Sequence, residues 1–409
     1  MNKPLCRISG SPLSTVVEFG MQPLGNGFLE SRWLQDEYFF PMAVGYSEKS
    51  MMLQLIEQPA AEKMFHDHYA FYSSTSSFMA RHFEQFADQV VCSENLARED
   101  PFVVELGCND GIMLKNFAAQ NIRHLGIEPS LNVAKEANAQ GVRTCSEFFT
   151  EELADRIVRE DGQADAFLAA NVMCHIPDIV DVVKGIKKLL KPTGLVMFED
   201  PYLGDVVEKT SYDQIYDEHV FLFSALSIQY LFGMHGLELV DLMPQKTHGG
   251  SMRYVLAHKG AYPVNETVLE IIAKEKAQGL NQLSTFDEFR RKVEKSRSDL
   301  VQLLSTLKAE GKRVAGYGAT SKSTTILNYC GIGPDLIEFI CDTTPIKQGK
   351  VTPGMHIPVV PNEVFNTNRP DYAVLFAWNH AEEIMAKEKQ FISNGGKWIV
   401  HVPTVRVLG

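Results

Sequence analysis

The segment Phe102-Val-Val-Glu-Leu-Gly-Cys-Asn-Asp-Gly-Ile-Met-Leu reads as a buried strand, a turn carrying Gly107 and Gly111, and the start of a helix. Glycines at such a turn let the backbone approach a ligand closely. The Gly107-x-x-x-Gly111 spacing is not the G-x-G-x-x-G of dinucleotide binders, and Glu105 and Asp110 would repel a pyrophosphate. A ligand with cationic groups suits this loop better, and S-adenosylmethionine carries both an ammonium and a sulfonium. One unit later, His124-Leu-Gly-Ile-Glu128 ends a second strand on a carboxylate that can take ribose hydroxyls. A third strand ends at Asn171 on the same sheet edge, where open α/β sheets bind ligands. The cofactor set is therefore Glu105, Gly107, Asn109, Asp110, Gly111, Glu128 and Asn171. The competing reading is that these glycines only tighten turns and that Glu128 is a solvated strand end.

A second glycine turn lies far along the chain. Val314-Ala-Gly-Tyr-Gly-Ala-Thr-Ser-Lys322 is a strand followed by a turn that opens a helix, and its N–H groups with Ser321 and Lys322 can cradle a phosphate. The next element ends on Asp342, placed for a ribose or a base. Gly316-x-Gly318 lacks the third glycine, so the nicotinamide reading is weak. A purely structural second sheet is the alternative.

The elements that must position these turns fall into three blocks. Residues 1–72 form a small module rich in Gly, Pro, Ser and aromatics, with strand-like pieces at Met42–Tyr46 and Met52–Leu55. Residues 73–260 alternate apolar strands with helical patterns, which predicts a parallel sheet with crossover helices. Residues 261–409 begin with charged helices and continue as further βα units. The expected class is α/β: a small N-terminal module, a central Rossmann-like domain and a second Rossmann-like C-terminal domain. The length of 409 residues allows two or three domains with ample core. A net charge of −12 argues against nucleic acid as a partner. The most apolar long stretch, residues 221–240, is interrupted by Gln229, His235 and Glu238, so it reads as a core helix and strand rather than a membrane span. The seven cysteines are odd in number and form no C-x-x-C pair, which fits neither a disulfide framework nor a four-cysteine zinc site. With no secretory pattern at the N-terminus, a reducing cytoplasm and a monomer are expected.

Many separate stretches, in one order, resemble the bacterial S-adenosylmethionine-dependent C-methyltransferases of nucleotide-linked deoxysugars, of the dTDP-sugar C-3′ type. They include Gly20–Leu24, Tyr69–Ser77, Val104–Leu114, Glu199–Asp205, Ile215–His219, His248–Gly250, Gly316–Lys322, Asp342–Pro345 and Phe376–Glu383. The resemblance implies a class I methyltransferase fold in the central domain and a 4-keto sugar whose acidified C–H loses a proton to His219, a residue suited by its near-neutral pKa. Glu218 would orient the ring or bind the sugar, and Tyr216 would steady the developing oxyanion. Tyr69 would reach the active site from the aromatic–serine stretch. The same resemblance assigns Tyr202, His248, Gly249, Tyr317, Ser321, Lys322 and Asp342 to the sugar nucleotide. Family members carry two C-x-x-C pairs for zinc, whereas here the pairs read Cys6-Arg-Ile-Ser9 and Ser47-Glu-Lys-Ser50. Serine hydroxyls are poor zinc ligands at neutral pH, so no structural zinc and no other metal is expected.

Overall fold

The computed structural model of the chain describes residues 3–60, 64, 77–93 and 96–409. Phe102–Leu106 and Ala164–Ala170 are apolar on both faces and buried almost throughout, as parallel strands covered by helices on both sides must be. They lie at the centre of a seven-stranded sheet in the order Leu237–Gln245, Ser251–His258, Leu190–Pro201, Ala164–Ala170, Phe102–Leu106, Arg123–Ile127 and Thr144–Cys145. The five strands from Leu190–Pro201 onward are parallel, and the two C-terminal strands run antiparallel to their neighbours. This is the class I methyltransferase sheet that the resemblance implied. The stretch read as a core helix and strand is a helix, Ala225–Gly233, followed by Leu237–Gln245.

The N-terminal module does not close on itself. Its antiparallel strands Ser14–Pro23, Phe39–Ser47 and Met52–Leu55 are completed by Phe221–Leu222 of the central block, so ladder hydrogen bonds cross the boundary expected near residue 72. The C-terminal sheet has six strands in the order Val359–Val360, Ile340–Cys341, Val314–Tyr317, Tyr372–Leu375, Lys397–Val400 and Arg406–Leu408, parallel except for the last. Two helices, Glu266–Ala277 and Leu283–Ala309, lead into it. The longer one buries Phe286, Phe289, Val293, Leu300, Leu304 and Leu307, with Phe286 stacked on Tyr46 at 4.1 Å between ring centroids. One apolar cluster thereby spans the N-terminal sheet, this helix and the C-terminal sheet. Among the described residues no helix is long and apolar enough to cross a membrane.

A buried carboxylate fixes the first linker helix to the central domain. Glu275 accepts the N–H groups of Ala225 (2.7 Å) and Leu226 (2.9 Å) and the hydroxyl of Tyr202 (3.0 Å). Ser224 accepts the N–H of Ser227, so the first turn of Ala225–Gly233 is capped by two residues 51 positions apart (275 − 224). Glu275→Ala strands two buried N–H groups and a hydroxyl, and should cost about 3 kcal/mol. The expected readout is a clear fall in melting temperature, smaller for Glu275→Gln, which keeps one acceptor. An unchanged melting temperature for the alanine variant would refute this capping role.

Candidate active site

The residues expected to bind the cofactor converge at the C-terminal edge of the central sheet, and the backbone there is set by positive φ angles. Gly107 has φ +69°, and a Cβ on it would meet Val172 Cγ2 at 2.3 Å, so only glycine fits between the two strand ends. Asn109 and Asn171, also at positive φ, turn the chain on either side. Glu128 accepts the N–H of Asn109 (3.1 Å) and of Ser130 (2.9 Å), which ties the second strand end to the glycine turn. The Asn171 N–H donates to the Glu199 carbonyl at 2.6 Å, and its own side-chain carbonyl is buried without a hydrogen-bond partner. Glu105 is buried, with Oε2 unpartnered. Burial, followed by the charges of Glu128 and Asp110, drives its pKa well above the carboxylate range. Burial also raises Glu128. Negative groups concentrated at a glycine turn, with acceptor oxygens left over, suit a cationic ligand bearing N–H or O–H donors.

The candidate catalytic residues Tyr216, Glu218 and His219 belong to an irregular, largely buried segment that follows the short helix Leu203–Lys209. His219 Nδ1 lies 2.7 Å from the Gln214 carbonyl, which can only accept, so Nδ1 carries the proton and Nε2 holds the lone pair. The Tyr216 hydroxyl donates to that Nε2 at 2.6 Å. His175 stacks on His219 with ring centroids 5.3 Å apart. Burial first, then His175, keeps the His219 pKa well below the ordinary imidazole value, and burial holds His175 at about 4. Both rings are neutral at pH 7. Glu218 Oε1 accepts from Asn26 Nδ2 at 3.0 Å, and Asp217 Oδ1 accepts the Gly25 N–H at 2.9 Å, so a loop of the N-terminal module covers this segment.

The C-terminal domain closes the other side. Lys322, in the first turn of Ser321–Cys330, is buried, with Nζ 3.3 Å from the His248 carbonyl and 5.7 Å from the Trp378 ring centroid. Burial lowers its pKa, partly offset by Asp213. Asp213 accepts from Trp378 Nε1 at 2.6 Å. The rim of the Trp378 ring abuts Gly249, where a Cβ would meet Cη2 at 2.3 Å. His248, at φ +53°, is half-buried, and desolvation with the Lys322 charge drops its pKa to about 3. Ser321 packs beside Gly25 and Asp217. The structure thus brings Tyr216, Glu218, His219, His248, Gly249, Ser321 and Lys322 into one cluster.

Other sequence candidates sit elsewhere. The Tyr202 hydroxyl is spent on Glu275, and the Tyr317 hydroxyl donates to Glu388 at 2.9 Å while its ring packs on Phe365 and Trp398. Both hydroxyls are thus engaged within the fold. Asp342 accepts the N–H of Ala319 (2.7 Å) and Thr344 (2.8 Å), one on each oxygen, and so shapes the second glycine turn as Glu128 shapes the first. Tyr69 lies outside the described residues. Asp213, Gln214, Asn26 and Trp378 were absent from the sequence-based set. Their proximity to the Ile215–His219, Gly20–Leu24 and Phe376–Glu383 stretches was the available signal.

Three family models match the chain: a domain to which zinc binding is ascribed (residues 6–65), a methyltransferase domain (66–242) and a C-methyltransferase C-terminal domain (246–403). The C-methyltransferase NovU of Streptomyces niveus is 36% identical over 407 residues, 98% of this chain and 96% of its own. A ubiquinone biosynthesis O-methyltransferase of Acinetobacter baylyi is 30% identical over 100 residues, only 24% of this chain and 42% of its own. Among solved structures, the magnesium protoporphyrin IX methyltransferase of Synechocystis PCC 6803 covers 44% of this chain and 82% of its own, at 15% identity and a TM-score of 0.33.

The adjacent buried carboxyls of Asp217 and Glu218 resist ionising together. Burial, then the Glu218 charge, pushes Asp217 up to about 8. The folded chain keeps a proton there that the unfolded chain releases near pH 4, so this group subtracts stability as pH rises from about 4 to about 8. Asp217→Asn preserves an acceptor for the Gly25 N–H and removes that loss. Its melting temperature minus that of the wild type should grow between pH 5 and pH 8 and level off above. A difference independent of pH would contradict the assignment.

Proposed function

This chain belongs to the C-methyltransferase family, and from that membership we propose that it transfers a methyl group from S-adenosylmethionine to a carbon beside the keto group of a nucleotide-linked 4-keto deoxysugar. C-3′ is the proposed position, with dTDP as the nucleotide and branched-chain sugar biosynthesis as the context. The observation that carries this reading is the buried His219, neutral and single-tautomer, with its lone pair held by the Tyr216 hydroxyl. Transfer to oxygen needs no carbon-acid base, whereas transfer to carbon does.

The residues at the first glycine turn fit the donor. The unpartnered Glu105 Oε2 and Asn171 Oδ1 offer acceptors, Glu128 retains lone pairs for hydroxyls, and Gly107, packed on Val172, lets the two strand ends that carry these groups approach closely. When bound, S-adenosylmethionine supplies an electrophilic methyl carbon on a sulfonium. The remaining work falls to the protein. The Gln214 carbonyl fixes the His219 tautomer, so Nε2 is the atom that takes the substrate proton. Tyr216, released from Nε2 when that atom accepts the proton, has a hydroxyl with which to stabilise the oxygen where charge develops. Lys322 is a buried ammonium that suits an anionic diphosphate. The relatives matched as O-methyltransferases align with about a quarter of the chain, while the C-methyltransferase aligns across all parts of it, including those that close on His219.

His219→Asn should lower turnover by about 10²–10⁴-fold, the usual contribution of a general base, with S-adenosylmethionine affinity unchanged by titration calorimetry. The wild type should also exchange the hydrogen at the reacting carbon for deuterium in D2O without donor, and the variant should not. Because burial opposes His219 protonation, wild-type kcat/KM should stay level as pH falls through 6.5 and drop only below it. Near-normal methylation by the asparagine variant would overturn the carbon-acid mechanism.

A further inference from the structure

The two turns that begin at Cys6 and Ser47 have the same local geometry. The Ser9 N–H points to Cys6 Sγ at 3.4 Å, and the Ser50 N–H points to Ser47 Oγ at 3.3 Å. In each, a side-chain atom accepts the N–H three residues on. The turns meet face to face, with Cys6 Sγ 3.2 Å from Ser50 Oγ and Ser9 Oγ 3.4 Å from Ser47 Oγ. Ser11 Oγ bridges to Ser9 (2.8 Å) and Ser47 (3.1 Å), and Gln54 Nε2 donates to Cys6 Sγ at 3.1 Å. Cys6, Ser47, Ser50 and Gln54 are all buried.

This stretch falls within the match to the domain with ascribed zinc binding. The donor set does not fit that ion. Zinc sites use thiolate, imidazole or carboxylate, and here one thiol stands with neutral hydroxyls. Tetrahedral zinc with sulfur ligands at about 2.3 Å holds its donors roughly 3.8 Å apart. The atoms in this cluster touch one another at hydrogen-bond distance instead.

We propose that the Cys6–Ser9–Ser47–Ser50 cluster, with Ser11 and Gln54, is a metal-free clasp: its hydrogen bonds join the two turns that a zinc ion would otherwise join, and the turns keep the geometry of a metal site. The sulfur receives the polarity an ion would have supplied. Burial opposes ionisation of Cys6, and hydrogen bonds from Ser50, Ser9 and Gln54 outweigh it, drawing the thiol down to about 7. Retained turn geometry means that exchanging the three serines for cysteine restores a tetrahedral thiolate set without moving the backbone.

The test is elemental analysis and thermal melting of the full chain with and without EDTA. The wild type should carry well under one zinc per chain, with a melting temperature indifferent to chelator. The triple variant S9C/S47C/S50C should take up about one zinc per chain and lose melting temperature on chelation. A wild type that holds a full zinc, and melts lower once it is chelated, overturns the proposal, as does a folded triple variant that ignores zinc. Should the triple variant fail to fold, Gln54→Leu decides: loss of the donor to Cys6 should lower the wild-type melting temperature by roughly 2–4 °C, and no change would count against the clasp.

Discussion

Everything around the candidate site depends on one constraint: residues 212–219 are buried without belonging to a strand or a long helix. Irregular backbone at that depth has polar groups that no ladder satisfies. Each part of the chain contributes to satisfying them. Thr325 Oγ1 donates to the Ile215 carbonyl at 2.8 Å, Trp378 caps Asp213, Gly25 and Asn26 reach Asp217 and Glu218, and Gln214 donates to the His248 carbonyl. The segment takes up the Gln214 carbonyl to hold His219 only because helix, loop and strand ends from three parts of the fold fix it in place. The joint between the parts is therefore the site itself, and it explains why Phe221–Leu222 directly after His219 is bonded into the N-terminal sheet.

Charge is sorted across the molecule in a way the net value of −12 conceals. At the edge of the central sheet, burial and the charges of Glu128 and Asp110 raise the cost of ionising Glu105, a cost that a positive ligand would relieve. At the joint, the imidazoles of His175, His219 and His248 are kept neutral by burial while Lys322 and Lys347 provide positive charge. A cationic methyl donor on one side and the proposed anionic sugar nucleotide on the other would match this division. The neutral imidazoles matter because a protonated His219 next to Lys322 would have no lone pair to offer.

Much of the central and C-terminal sheets was legible in the sequence because their strands are continuous apolar runs separated by glycine turns. The first cofactor turn was legible for the same reason: Gly107 and Gly111 mark backbone that must lie close to something, and Glu105 and Glu128 sit at strand ends. The partners of Tyr202, Tyr317 and Asp342 cannot be seen locally. Glu275 and Glu388 lie about seventy residues from the tyrosines they hold, and Asp342 turns back onto Ala319 across the sheet. Asp213 and Trp378 escaped for the converse reason. Each is ordinary in its own segment and acquires a role only when residues 213 and 378 meet beside Lys322.

The surroundings of the N-terminal module bear on how much the proposed clasp of hydrogen bonds has to hold. A separate unit of about 70 residues buries too little surface to stand alone and ordinarily needs a metal or disulfides. This one is not separate. Val16, Val17, Phe19, Val44, Leu53 and Leu55 share a core with Phe286, Phe289 and the C-terminal sheet. Tyr46 stacks on Phe286 and donates to the Leu280 carbonyl at 3.0 Å. Its sheet is finished by a strand from the central domain. With the module held from outside, the Cys6 cluster has only to keep two turns together, a task within reach of several hydrogen bonds of roughly 1 kcal/mol each.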